Sequence, residues 1–201
     1  MTRVKICGIK NIADGLVAAR AGADAIGLVF ANSPRKIDLE TARAICTSLP
    51  PFVTRVGVFV NEDGSVVNEI AAFCGLTALQ FHGDEDAQYC RQFSLPVLKS
   101  ISVRTAQDLR GIEEFPAAAF VLDTYHPIFR GGTGETFDWS LLDNRPNVPI
   151  ILAGGLTPEN LAEAIRRVKP YGVDVSSGVE TDGKKDQRLI QAFIEEAGRC
   201  S

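Results

Sequence analysis

The stretch IILAGGLTPENLAEAIRRVKPYGVDVSSGVE, residues 150–180, reads as strand, glycine turn, helix, strand and a second glycine turn. The apolar runs at 149–153 and 172–176 are short and rich in Ile and Val, as the buried strands of a parallel sheet are. Between them, Thr157 followed by Pro158 signals a helix start. Leu161, Ala164, Ile165 and Val168 then fall at i, i+3, i+4 and i+7, an apolar stripe that needs a sheet to cover. Each strand runs directly into small residues, Ala153 into Gly154-Gly155 and Val175 into Ser176-Ser177-Gly178. Two neighbouring loops with bare backbone N–H groups and hydroxyls are a seat for a dianionic phosphate, because glycines let the backbone approach closely. A short helix beginning near Gly178 is expected to aim its positive end at that anion.

Outward from this unit, the same alternation covers the chain. Segments 3–7, 25–30, 54–60, 78–82, 97–102 and 118–123 also read as strands, which makes eight. Helix starts are signalled by Asp38 before Leu39, Ser65 before Val66, Asp84 before Glu85, and Thr105 with Asp108 three on, so each gap is expected to hold one helix. The last helix repeats the stripe with Ile190, Phe193, Ile194 and Ala197. Strict βα alternation implies parallel strands joined by right-handed crossovers, and eight units in 201 residues fit a (β/α)8 barrel in a single domain spanning 1–201. An open doubly wound sheet is the structural rival. It ranks lower because no G-x-G-x-x-G follows the first strand, whereas the phosphate signals follow strands seven and eight. The longest connection without helical periodicity, YHPIFRGGTGETF at 125–137, reads as a mobile lid over a site.

Composition removes several function classes. The chain is 45% hydrophobic, enough for one substantial core, and its mixed-sign charges sum to -4, which provides no basic face for nucleic acid. The N-terminal MTRVKICGIK is too short and interrupted to be a signal peptide, and no run of about 18 apolar residues occurs, so no membrane role and a cytoplasmic location are expected. Cys7, Cys46, Cys74, Cys90 and Cys200 are odd in number and widely spaced, without C-x-x-C, and read as free thiols. With only His82 and His126 and no H-E-x-x-H, no metal and no cofactor are expected.

In such barrels the last inward residue of each strand lines the active mouth. Alternation along Val4-Lys5-Ile6-Cys7 sends Val4 and Ile6 to the helices and turns Lys5 and Cys7 to the axis. Asp123 stands in the same relation to Phe120 and Leu122 on strand six, nearly opposite around the ring. A half-buried carboxyl can keep its proton above the reference of about 3.9, while a thiol near 8.5 must be lowered to serve as a base. The competing readings are a small buried apolar group for Cys7 and a helix cap or ion-pair partner for Asp123. Arg35, in ANSPRKI after strand two, can clamp a substrate carboxylate bidentately or be a solvated charge. Lys99, in VLKSI, can form a Schiff base, though pairing with a carboxylate such as Asp174 is the commoner use.

Taken together, VKICGI at 4–9, SPR at 33–35, LQFHGDE at 79–85, VLDT at 121–124, GGTGETFDW at 131–139, ILAGGLTPENL at 151–161 and GVDVSSGVE at 172–180 resemble the phosphoribosylanthranilate isomerases of tryptophan biosynthesis, in the family's order across nearly the whole chain. The resemblance implies an Amadori rearrangement of N-(5-phosphoribosyl)anthranilate, a small phosphorylated substrate, by an enzyme that is a monomer or homodimer. Carried over by motif, Asp123 is the general acid that opens the ribose ring and Cys7, as thiolate, the base that removes the C2 proton. Arg35 holds the anthranilate carboxylate, and Gly154, Gly155, Ser176, Ser177 and Gly178 hold the phosphate. Gln80, His82 and Asp174 supply supporting substrate contacts. Phe81 stands where the family usually has an aliphatic residue and Lys36 where an aromatic is common, which bears on substrate fit. The rivals are the related sugar-phosphate isomerase of histidine synthesis, which uses an aspartate where this chain has Cys7, a Schiff-base aldolase built on Lys99, and a non-catalytic barrel.

Overall fold

The computed structural model describes residues 1–124 and 136–200, so most of the expected lid at 125–137, with His126, lies outside the described residues. Strands β1 (Arg3–Cys7), β2 (Ala25–Val29), β3 (Thr54–Phe59), β4 (Ala78–Phe81), β5 (Val97–Val103), β6 (Ala119–Thr124), β7 (Ile150–Leu152) and β8 (Gly172–Val175) pair in parallel in chain order, and β8 returns to β1 to close a barrel. Every strand segment expected from the sequence is present, with ends shifted by at most two residues. Helices α1 (Ile12–Ala21), α2 (Leu39–Ser48), α3 (Gly64–Cys74), α4 (Ala87–Cys90), α5 (Leu161–Val168) and α6 (Gln187–Arg199) cover the sheet, and a hairpin of β9 (Glu180–Thr181) and β10 (Lys184–Lys185) follows β8.

Alternation sorts the strand residues into two clusters. Val4, Ile6, Leu79, Phe81, Phe120 and Leu122 join the helical Ala18, Ile45, Val67, Ile165 and Phe193 in one continuous core outside the sheet. Inside it, Ala119, Val121, Ile151 and Ala153 form a small separate cluster against Leu98. The two helical stripes are buried in full, from Leu161 to Val168 and from Ile190 to Ala197. Each large side chain so covered contributes roughly 1.5–3 kcal/mol, which makes the outer shell the main source of stability. Phe81 belongs to this shell, with its ring centroid 4.9 Å from Phe93 and 5.2 Å from Tyr89. Its departure from the family pattern is therefore a matter of packing outside the barrel rather than of substrate fit.

Among the described residues, two gaps show 3-10 turns where an α-helix is expected. Between β5 and β6 the chain makes two 3-10 turns, Ala106–Leu109 and Ile112–Glu114, and before β7 another, Trp139–Leu142. The Thr105/Asp108 capping box forms as expected, but Gly111 in the left-handed region interrupts the turn before an α-helix can propagate. Three helix starts also move. Asp63, not Ser65, caps α3 by accepting from the Ser65 N–H at 2.8 Å. Asp86, not Asp84, caps α4, because the Asp84 carboxylate accepts from the Asn61 amide at 3.1 Å. The Thr157-Pro158 signal precedes its helix by a turn, with Asn160 at the boundary of α5.

Candidate active site

At the C-terminal end of the barrel, neighbouring strands place a buried ion pair on the axis. Lys5 and Asp174 are register partners on β1 and β8, and their Nζ and Oδ2 atoms lie 2.8 Å apart with side chains 4% and 8% exposed. Burial works against the Lys5 ammonium, yet Asp174 and Cys7 together hold its pKa above the usual lysine value. Cys7, two residues farther along the same face, pairs in register with Gly27, where an added Cβ would stand 2.7 Å from Sγ. The thiol therefore occupies room that only a glycine leaves. Burial holds the Cys7 thiol above its ordinary value and the Asp174 charge adds to the rise, while the Lys5 charge, the Lys185 charge and a Lys5 hydrogen bond oppose it without overcoming it. The neighbours of the thiol are charged groups rather than the aliphatic packing of a structural cysteine, but the lowering expected of a base does not occur in this arrangement.

Asp123 ends β6 on the inner face. Burial pushes its carboxyl up to about 6, against the Thr124 N–H that donates to Oδ1 at 2.8 Å, while the Asp174 charge adds to the rise. The same Lys5 and Asp174 charges act on both Cys7 and Asp123, so thiol and carboxyl border one polar centre. His82 follows β4 with Nε2 3.6 Å from Asp123 Oδ2. Burial and then the Lys5 charge lower its pKa to about 4, so at neutral pH it faces Asp123 as an uncharged imidazole and makes no ion pair. Gln80 lies deeper, 1% exposed, its amide donating to Ser100 Oγ at 3.0 Å. Asp174 is likewise engaged below the mouth, with Lys5.

The two glycine loops expected to seat a phosphate pack against each other. Gly154 has φ +80°, and a Cβ there would collide with Thr124 and Asp123, so the β7 loop runs directly beside Asp123. A Cβ on Gly178 would strike the Leu156 carbonyl, which closes the β8 loop onto the β7 loop. The expected short helix is a 3-10 turn, Ser177–Val179, starting one residue before Gly178. Ser176 Oγ donates to the Cys7 carbonyl at 3.1 Å and ties this loop to the end of β1.

Arg35 reaches the mouth from the loop after β2, but it does not stand alone there. Its Nε and Nη2 each lie 2.8 Å from one Glu180 oxygen, a bidentate pair that leaves Nη1 outside it. Lys185, its side chain 3% exposed, donates to Glu180 Oε1 at 2.7 Å and to the Ser176 carbonyl at 2.9 Å. From the sequence Lys5 is turned to the axis but given no role, and Glu180 and Lys185 are passed over. Glu180 closes the GVDVSSGVE motif, and that position was the available signal. Lys99 is corrected. It stands beside Phe81 on the outer face, and its ammonium binds Glu85 Oε2 and the Gly83 carbonyl, each at 2.8 Å, rather than Asp174. Asp174 cannot serve it because the sheet lies between them, so a Schiff-base site on Lys99 has no access to the mouth. Among the described residues no group of three or more His, Cys, Asp or Glu side chains is placed to hold a metal ion.

The family model for N-(5'phosphoribosyl)anthranilate (PRA) isomerase matches residues 4–196. The chain is similar to N-(5'-phosphoribosyl)anthranilate isomerase of Desulforamulus reducens, 50% identical over 202 residues and covering 100% of this chain and 97% of the relative. Among solved structures it is similar to a phosphoribosyl anthranilate isomerase in complex with reduced 1-(o-carboxyphenylamino)-1-deoxyribulose 5-phosphate, with TM-score 0.87, 42% identity and coverage of 99% of this chain and 100% of that one. It is equally similar to a Thermotoga maritima structure of monomers generated from the dimeric enzyme, with TM-score 0.87, 41% identity and the same coverage. With the model spanning nearly the whole chain and relatives this close, the protein belongs to the N-(5'-phosphoribosyl)anthranilate isomerase family.

Proposed function

We propose that Asp123 and Cys7 are the acid and base with which this isomerase of tryptophan biosynthesis turns N-(5-phospho-β-D-ribosyl)anthranilate into 1-(2-carboxyphenylamino)-1-deoxy-D-ribulose 5-phosphate. Asp123 gives its proton to the ribose ring oxygen, the C1–O bond breaks, and the anilino nitrogen lone pair completes an iminium. The Cys7 thiolate takes the C2 proton, the C2–H electrons form the enolamine, and tautomerisation yields the C2 ketone. Each positioned proton transfer supplies about 10² to 10⁴-fold. The observation that carries this reading is the Asp123 carboxyl, raised to about 6 on the inner face, with the Lys5 ammonium as the group that favours a Cys7 thiolate against burial and the Asp174 charge. At pH 7 such a carboxyl keeps its proton in about one molecule in ten, enough to donate and regain it in each cycle.

In this reading Gly154, Gly155, Ser176, Ser177 and Gly178 hold the phosphate, and Arg35 holds the anthranilate carboxylate with the part of its guanidinium that Glu180 leaves open. Neutral His82 and the lumen residues Gln80 and Asp174 shape the floor of the site. We place the enzyme in the cytoplasm, without metal, cofactor, nucleic-acid or membrane partner, as a monomer or a homodimer. No described helix is long and apolar enough to cross a membrane, and the Thermotoga relative is described as dimeric. The test is to supply phosphoribosylanthranilate to the purified chain and follow its optical disappearance. Conversion is expected from the wild-type chain and not from Cys7→Ala, and undiminished conversion by that variant would remove the thiol from the mechanism.

A further inference from the structure

We infer that Glu180 is a positioning residue for substrate binding, orienting Arg35 with one carboxylate and, through Lys185, locking that arginine to the phosphate loop. The inference rests on the reading of Arg35 as the carboxylate clamp. An arginine on a loop has four rotatable bonds, and ordering it at the moment of binding weakens affinity. Here that ordering is done in advance. Both Nε and Nη2 are held at 2.8 Å by the two Glu180 oxygens, which fixes the guanidinium plane and turns Nη1 away from the pair. The backbone of Gly8 lies under the Arg35 stem, where a Cβ would stand 2.6 Å from Cδ.

Glu180 is itself anchored. Lys185, from the other strand of the β9–β10 hairpin, donates to Glu180 Oε1 at 2.7 Å and to the Ser176 carbonyl at 2.9 Å. Ser176 in turn donates through Oγ to the Cys7 carbonyl at 3.1 Å. One chain of short polar contacts thus runs from Arg35 through Glu180 and Lys185 to Ser176 and the end of β1. The pairs are sheltered: the side chains of Glu180 and Lys185 are 9% and 3% exposed, so solvent screens them weakly. Two substrate anions at opposite ends of one molecule need two receptors at a set separation, and this chain sets it.

Steady-state kinetics on Glu180→Gln, Arg35→Ala and the double variant test the inference. Glu180→Gln is expected to raise KM for phosphoribosylanthranilate about fivefold with kcat changed less than about twofold, because the clamp acts equally in ground and transition states. In the Arg35→Ala background the same change is expected to raise KM by less than about twofold, since residues acting as one unit are not additive. An unchanged KM in Glu180→Gln, or a full fivefold effect on top of Arg35→Ala, would overturn it. Arg35→Ala with unchanged KM would instead sink the clamp reading on which the inference rests. Should the amide variant melt far below wild type, Glu180→Asp, which keeps the charge but shortens the reach, is read by the same KM criterion.

Discussion

The two faces of the barrel sheet are built from the same strands and do opposite work. On the outer face, Ile6, Leu79, Phe120 and Leu152 merge with the helices into one apolar core. On the inner face the barrel strands carry Lys5, Gln80, Asp123 and Asp174, buried and polar, beside Val56 and Val58 of β3 and a small apolar patch on β5 to β7. Buried charges stabilise little, since their desolvation offsets most of the attraction between them. The outer face therefore holds the protein together, and the inner face, where we propose the chemistry is done, keeps its charges at some cost to stability.

Substitutions on the two faces should separate cleanly. The largest effect is expected for Cys7→Ala, which should lower kcat/KM by about 10² to 10⁴-fold with little change in melting temperature, read from substrate turnover and a thermal melt side by side. A large loss of stability in this variant would mean that the inner face is structural after all. Phe193→Ala, on the outer face, should cost about 3–5 kcal/mol in a denaturant titration while the folded protein keeps its KM. A changed KM there would blur the division.

Asp123→Asn sharpens the comparison further, because it should lose activity and gain stability. Burial raises the folded carboxyl to about 6, above the unfolded value of about 3.9, so the folded state binds this proton more tightly. Keeping the carboxylate ionised then costs on the order of 3 kcal/mol above pH 6, and the cost fades as the pH falls toward 4. The asparagine variant is expected to be more stable than wild type by about that amount at pH 7.5 and level with it at pH 4. Equal stability at both pH values would show that the carboxyl is not strained by its site. A smaller effect is expected for Arg35→Ala, about 10-fold to 30-fold in KM with kcat nearly unchanged, as for one charge-assisted contact.

Much of this was legible in the strand residues themselves. Val4-Lys5-Ile6-Cys7 tells which residues face inward, because a pleat of period two leaves no choice once the apolar partners must meet the helices. The glycine turns after β7 and β8 were legible for a similar reason: Gly154 adopts a conformation that few other residues accept. The helix caps were less legible. Asp84 and Asp86 are equivalent in sequence, and the choice between them depends on Asn61, more than twenty residues away, engaging one of them.

By itself, then, the sequence determined the eight-strand alternation, the face each strand residue takes and the two glycine loops, since these follow from local periodicity and backbone sterics. Pairing was decided by tertiary structure alone. Lys99 and Lys5 each stand on a strand with a carboxylate as a possible partner, and only closure of the barrel puts Asp174 within 2.8 Å of Lys5 and leaves Glu85 for Lys99. The link from Arg35 to Glu180 spans 145 residues, and no local pattern encodes it. Electrostatic partners are chosen by distance in space, and that distance exists only once β8 has come back beside β1.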